Sequence, residues 1–148
     1  MTARLTCLVA LIAALAAADA SARTSTLSHE QLVAQAFRIC ASASNGIAKV
    51  RPAFSLADSA RATAAVVAQL DRMTDRLGAL RPAPADARPF RRYVSLMRRE
   101  LAALRRAQRA AVRGDRAGFS AAYLDAGAIS LQARTVAGRL GLEVCSTV

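Results

Sequence analysis

Apolar residues recur at alternating steps of three and four in four successive stretches of the chain, which is the period of one buried helix face. In the second stretch the apolar stripe consists of Thr63, Val66, Leu70, Met73, Leu77 and Leu80. In the third stretch it consists of Phe90, Val94, Met97, Leu101, Leu104 and Ala111. We therefore predict four helices, over about residues 28–45, 55–80, 87–113 and 116–140.

Residues typical of helix ends separate these stretches. The segment Ser28–Gln31 has the form of a capping box, and Asn45-Gly46 predicts the end of the first helix. In the proline-rich break before the third helix, Asp86 is the predicted N-cap. Gly114-Asp115 predicts a break and a new cap within two residues, so the fourth helix must return antiparallel to the third.

This organisation predicts an all-α fold, an antiparallel up-down four-helix bundle that forms a single domain over residues 23–148. The composition agrees with that prediction, because 54% of the residues are hydrophobic, only 4% are aromatic and tryptophan is absent. A core made largely of Ala, Leu and Val suits closely packed helices better than sheets.

The first 22 residues have the pattern of a secretory signal peptide. Arg4 precedes an apolar run over residues 5–18, and small-residue patterns predict cleavage after Ala20 or Ala22. The run is shorter than the roughly 20 residues that a membrane-spanning helix needs. We therefore predict a secreted, periplasmic or cell-envelope protein, with an uncleaved N-terminal membrane anchor as the alternative.

Signal cleavage removes Cys7 and leaves two cysteines, Cys40 and Cys145. An even number of cysteines in an exported chain predicts an oxidised pair. Cys40 falls on the apolar face of the first helix, so the bond would hold the C-terminal tail against that face. Gly141 fits the position after the end of the fourth helix, with Leu142 folding back as its hydrophobic contact. Two free thiols are the expectation only for a protein that stays in the cytosol.

Four features of the mature chain carry a resemblance to known proteins. They are Ile39-Cys40-Ala41, the heptad helices around a proline-rich break, Arg113-Gly114-Asp115, and the run from Leu140 to Cys145. Together they resemble a set of small exported helical proteins from the Ala- and Arg-rich proteomes of high-GC bacteria. The resemblance covers most of the mature chain, and it implies an exported helical bundle without implying an activity.

Arginine is concentrated on the third helix. The formal net charge is +11, from 21 Lys and Arg against 10 Asp and Glu. Two adjacent rows with seven-residue spacing, both away from the apolar stripe, contain most of these arginines, and Glu100 is the only acid expected on that helix. The predicted anion-binding face consists of Arg88, Arg91, Arg92, Arg98, Arg99, Arg105, Arg106, Arg109 and Arg113.

Such a face predicts binding to an anionic envelope polymer or to an anionic membrane surface. The alternative is a solvated outer face that is rich in Arg because a GC-rich genome favours Arg codons, in agreement with the single lysine, Lys49. No aromatic interleaving or nucleic-acid-binding signature accompanies the arginines, so nucleic acid is not an expected partner.

Other binding chemistry has few candidate residues. His29 is the only histidine, and one histidine is a poor basis for a transition-metal site. A haem could use Tyr93 or Tyr123 as an axial ligand, so the second hypothesis is a small-ligand carrier in the bundle core, with haem among its candidate ligands. We predict neither a metal nor a cofactor.

Catalytic chemistry is equally sparse, and we predict a protein that is not an enzyme. No Ser-His-Asp set can be assembled, and there is no phosphate-binding loop. A less favoured alternative is an exported chorismate-mutase-like enzyme, which holds a dicarboxylate with arginines. That alternative requires at least two arginines that point into the bundle beside an acid such as Glu100.

Overall fold

The computed structural model describes residues 26–146. They form four α-helices, α1 (His29–Ile47), α2 (Leu56–Gly78), α3 (Pro84–Val112) and α4 (Arg116–Arg139), and a final 3-10 turn, η1 (Glu143–Ser146). Each helix packs against the helix that precedes it in the chain. The predicted all-α, antiparallel up-down four-helix bundle is thereby confirmed. The predicted signal peptide and Cys7 lie outside the described residues.

Two helices have the N-cap hydrogen bonds that the sequence predicts. At the start of α1, the Gln31 backbone N–H donates to Oγ of Ser28 at 3.3 Å, and the Ser28 N–H donates to Oε1 of Gln31 at 3.0 Å, which completes the capping box. At the start of α4, the Gly118 N–H donates to Oδ1 of Asp115 at 2.8 Å. Gly114 before it has a φ of 75°, a left-handed conformation that ends α3 at little steric cost.

The N-cap predicted for α3 is wrong. Ala83 is the N-cap, without a side-chain hydrogen bond, and Pro84 follows it as the first helical residue. The Leu27 N–H donates to the Arg81 carbonyl at 2.7 Å, and the Ala83 N–H donates to the Leu27 carbonyl at 2.9 Å. These bonds hold the chain extended up to Ala83, and proline is already in a helical φ, so the helix begins three residues before the predicted boundary. Asp86 therefore lies in the first turn of α3.

The helix α3 is buried on two neighbouring sides, since it packs against both α2 and α4. Its predicted apolar stripe is buried throughout. Next to that stripe lies a second buried row that the sequence analysis did not identify: Tyr93, Leu96, Glu100, Ala103, Ala107 and Ala110. The second row exists because an inner helix of a bundle has two partners, whereas a single stripe is the pattern of a helix with one partner.

The end of α4 turns back onto the bundle. Gly141 has a φ of 69°, and the Leu142 N–H donates to the Ala137 carbonyl at 2.9 Å, the long hydrogen bond of a Schellman motif. This turn directs η1 over α1, where Cys145 forms a disulfide with Cys40. The predicted pairing of these two cysteines is confirmed, and a disulfide is typical of an oxidising, extracytoplasmic compartment.

The helices α1 and α4 are joined chiefly through η1, which packs against both of them. Beyond the part of the bundle that η1 covers, the two helices therefore leave a gap. Within residues 26–146, no helix is long and apolar enough to span a bilayer.

Candidate functional site

The nine arginines of the predicted anion-binding face all lie on the exposed side of α3 and at its C-cap. We call this set the arginine face: Arg88, Arg91, Arg92, Arg98, Arg99, Arg105, Arg106, Arg109 and Arg113. Its position follows from packing, because the remaining sides of α3 are buried and an unpaired guanidinium is almost never buried.

Two of these arginines connect α3 to its neighbours. Nη2 of Arg105 lies 2.8 Å from Oδ1 of Asp71 on α2. Arg106 forms an ion pair with Asp125 on α4. All four side chains are about half exposed, so each pair contributes only roughly 0.2–1 kcal/mol to stability. One pair joins α3 to α2 and the other joins it to α4, so the arginine face extends across the exposed side of α3 from one neighbour to the other.

The other seven arginines of the face form no ion pair with any residue in the range 26–146. The prediction that Glu100 is the only acid on this helix is wrong, because α3 also includes Asp86. That carboxylate is mostly buried and pairs with His29, whose Nδ1 lies 3.2 Å from Oδ1 of Asp86. Glu100 belongs to the buried second row of α3. Neither Asp86 nor Glu100 therefore lies among the arginines, so the positive charge of the arginine face is left largely uncompensated.

The candidate haem ligands do not come together. Tyr93 is fully buried, with its hydroxyl donating to the Cys145 carbonyl at 3.5 Å. Burial, with a smaller contribution from the charge of Glu100, raises the pKa of Tyr93 well above its usual value. Tyr123 is half exposed and stacks on Phe119 with ring centroids 5.6 Å apart. Residues 26–146 contain no cluster of three His, Cys, Asp or Glu side chains able to hold a metal ion.

The inward-facing arginines that a chorismate-mutase-like site requires are not present in the described part of the chain. Every arginine between residues 26 and 146 is exposed to solvent. Glu100, the acid named for that site, is buried, with 8% of its surface exposed, but no arginine is buried beside it.

A second candidate site is a groove between α1 and α4 with a volume of about 740 Å³. Side chains from all four helices line it, among them Ile47, Leu70, Leu104 and Tyr123. Three polar residues also line the groove: Glu100, Ser130 and Arg134. Its volume and its mainly apolar lining with a few polar groups are typical of small-molecule sites.

The sequence did not predict the groove, because the groove depends on the distance between α1 and α4. One signal in the sequence pointed toward it. Glu100 follows Tyr93 by seven residues, which places it away from the arginines and in line with a large aromatic side chain. An acid at such a position on an inner helix indicates either a buried ion pair or a polar group in a cavity.

Burial raises the pKa of Glu100 to about 7, against an ordinary value of 4.5. A hydrogen bond with Ser130 and the positive charge of Arg134 act in the opposite direction, but burial dominates. From its own helix, Glu100 interacts electrostatically with Tyr93, which stays neutral in this pH range. A carboxyl group in this setting exchanges its proton near neutral pH.

The raised pKa predicts a stability that falls with pH. Between about pH 4.5 and about pH 7 the folded protein binds a proton at Glu100 that the unfolded chain releases, so this residue progressively destabilises the fold as the pH rises. Glu100→Gln removes that proton linkage. We expect the variant's free energy of unfolding to gain about 2–3 kcal/mol relative to the parent protein across this window, with a slope of at most about 1.4 kcal/mol per pH unit that is lower near each end. Urea unfolding at several pH values measures the difference.

The matched control for this measurement is Glu30→Gln, which alters an exposed acid in the first turn of α1. The profile of Glu100→Gln should differ from that of the parent protein by more than the profile of Glu30→Gln does. Parallel profiles for the parent and Glu100→Gln would contradict the raised pKa.

Comparison of the chain with models of protein families, with curated proteins and with solved structures finds no match.

Proposed function

We propose that this chain is an exported, non-enzymatic helical bundle that binds a linear acidic polymer of the cell envelope through the arginine face of α3. The observation that carries the proposal is the group of seven exposed arginines that have no acidic partner within residues 26–146. Concentrated charge of one sign attracts a ligand of the opposite sign and raises the rate of association.

The dimensions of the face suit an extended ligand. From Arg88 to Arg113 the helix rises by about 38 Å, at about 1.5 Å per residue. A linear polyanion can contact several arginines along that length at once, and each contact releases counterions from the polymer. Packing against both α2 and α4 holds α3 in place, and the ion pairs of Arg105 and Arg106 add little to it, so the face is presented along one continuous helix.

A polymer is favoured over a membrane surface by what lies among the arginines. Ser95 and Ala102 occupy the exposed positions between the rows, and neither has a large apolar side chain. A helix that binds in the plane of a membrane normally inserts Trp, Phe or Leu side chains among the headgroups. The arginine face has no Trp, Phe or Leu among its arginines, and the large apolar side chain exposed at its end is the smaller Val112.

The export part of the proposal is supported by two features at different ends of the chain. The disulfide of Cys40 with Cys145 is of the kind that persists in oxidising compartments. The apolar run over residues 5–18, with small-residue cleavage patterns after it, has the form of a signal peptide.

The proposal predicts that polymer binding depends on where positive charge is located. We expect Arg91→Gln/Arg98→Gln/Arg109→Gln to weaken binding to a soluble polyphosphate on the order of 10- to 100-fold, because three arginine contacts with phosphate groups of the polymer are lost. Binding of the parent protein should weaken on the order of 100-fold as salt rises from about 50 to about 200 mM. Titration calorimetry at several salt concentrations measures both effects.

The matched control removes the same number of charges elsewhere. Arg38, Arg51 and Arg139 are exposed, lie on α1, on a loop and on α4, and have no ion pair within residues 26–146. The triple Gln variant at these positions should keep most of the affinity. Equal losses in the two triple variants would show that only the net charge matters and would contradict a defined binding face. If the protein bound anionic vesicles more tightly than the polymer, the proposed ligand of the face would be a membrane surface and not a polymer.

A further inference from the structure

The groove between α1 and α4 is a second site, separate from the arginine face. None of the nine arginines of that face lines it. It exists because η1 and the disulfide close the bundle over only part of its length, while α1 and α4 stand apart over the rest. An opening of this kind leads directly to the core side chains of the inner helices, Leu70 of α2 and Leu104 of α3.

Position 127 borders the open space of the groove. Gly127 lies on the exposed side of α4 and lines the groove, and a Cβ placed on it would meet no atom within 4 Å. Glycine in the middle of a helix costs about 1 kcal/mol relative to alanine. Position 127 is therefore a place where a larger side chain would extend into the groove without first displacing a neighbour.

The groove has a polar end and an apolar end. On α4, Ser130 and Arg134 lie about two to three turns beyond Tyr123, and Ser130 hydrogen-bonds Glu100 of α3. The lining at the other end includes Ile47 at the end of α1 and Tyr123 near the start of α4. A molecule that fills the groove therefore needs an apolar body about two helix turns long and one polar head.

The charges at the polar end decide which head fits. Glu100 is the only buried charged residue in the groove lining. The positive charge of Arg134 also acts on Glu100, but Arg134 is exposed, so solvent screens its charge. An ammonium group beside Glu100 would form a desolvated, charge-assisted hydrogen bond. A carboxylate at that position would instead place two like charges together at low dielectric.

We propose that this groove binds a small lipophilic amine, with its ammonium group on the Glu100 carboxylate and its apolar chain along Leu104 and Tyr123 toward Ile47. This site does not depend on the polymer-binding function, and either can be present without the other. Because the chain has a net charge of +11, the rest of its surface disfavours cations, so an amine that binds must be held by a specific site.

Three probes with the same chain and different heads test the proposal: n-octylamine, 1-octanol and octanoate. Titration calorimetry on the intact protein at neutral pH should give the order octylamine, octanol, octanoate, with octylamine binding at least about tenfold more tightly than octanol. Glu100→Gln should reduce octylamine binding to about the level of octanol. Octanol binding should change much less, because an uncharged hydroxyl can hydrogen-bond either a carboxyl or an amide group.

Two glycine substitutions locate the binding. Gly127→Phe should fill the groove and abolish binding of octylamine and octanol. Gly138→Phe is its matched control, because Gly138 is an exposed glycine of the same helix, a Cβ placed on it would likewise meet no atom within 4 Å, and it does not line the groove. Both phenylalanine variants are compared only after their unfolding curves show a cooperative fold, and Glu100→Gln tests the head group independently of them.

Four results would overturn the proposal. The first is that no probe binds. The second is equal binding of octylamine and octanol, unaffected by Glu100→Gln. The third is tightest binding of octanoate that persists in the Arg91→Gln/Arg98→Gln/Arg109→Gln variant, which would make the groove a carboxylate site. The fourth is a dimer in sedimentation whose formation blocks octylamine, because the occupant of the groove would then be a second copy of the chain.

Discussion

Replacing both cysteines of the Cys40–Cys145 disulfide by alanine is expected to lower the free energy of unfolding by about 4 to 5 kcal/mol. The bond closes a sequence separation of 105 residues, so it removes a large part of the chain entropy of the unfolded state. It also provides the covalent link between α1 and η1, the segment through which α1 and α4 are joined. Denaturant unfolding of the oxidised parent and of the double variant measures the loss.

The control for this experiment is the parent protein after reduction and without alkylation, because it keeps both sulfur atoms and lacks only the disulfide bond. It should lose nearly as much stability as the double alanine variant. Intact mass before and after alkylation, without reduction, establishes that the starting protein is oxidised. A loss below about 1 kcal/mol would mean that the tail stays in place without the bond.

The second large effect is expected at Tyr93, which has the largest side chain among the fully buried residues. Tyr93→Ala should lower the free energy of unfolding by about 3 to 5 kcal/mol, because it leaves a cavity where the ring now packs with Phe90, at a centroid distance of 6.5 Å. Thermal and denaturant unfolding, monitored by circular dichroism, measures the loss.

Tyr93→Phe separates the ring from its hydroxyl. The hydroxyl donates a long hydrogen bond of 3.5 Å to the Cys145 carbonyl, so removing it should cost about 0.5–1 kcal/mol. Because Tyr93 contacts η1 through this bond, its effect should be smaller when the disulfide is absent, and the two sets of variants should not be additive. Equal losses for alanine and phenylalanine would show that the ring contributes no packing energy.

Local features of the chain were predictable because their causes are local. The capping box of Ser28 with Gln31 and the left-handed glycines 114 and 141 act within a few residues, and the structure has them where the sequence predicts. The predicted N-cap of α3, Asp86, is the local prediction that failed. It is a good N-cap residue by type, but backbone hydrogen bonds between Leu27 and the segment before α3 start the helix earlier. Those bonds join residues more than fifty positions apart, which no local pattern contains.

The candidate sites divide in the same way. The arginine face was predictable because its residues recur every seven positions on one helix, and such a row must lie on one side. The groove was not, because its lining comes from four helices and its polar end from Glu100 on α3 with Ser130 and Arg134 on α4. The sequence shows that Glu100 lies seven residues after Tyr93, but not which residues of α4 face it.

Three properties of this protein follow from its sequence alone: the all-α bundle, the pairing of Cys40 with Cys145, and the exposed row of arginines on α3. Each of these follows from periodicity, from residue type or from the count of cysteines. The tertiary structure alone decided that α3 is buried on two sides, that α1 and α4 stand apart beyond η1, and that Glu100 lies in the resulting groove. Those properties depend on the distances between helices. Side chains from different helices set these distances by packing together, so no local sequence pattern predicts them.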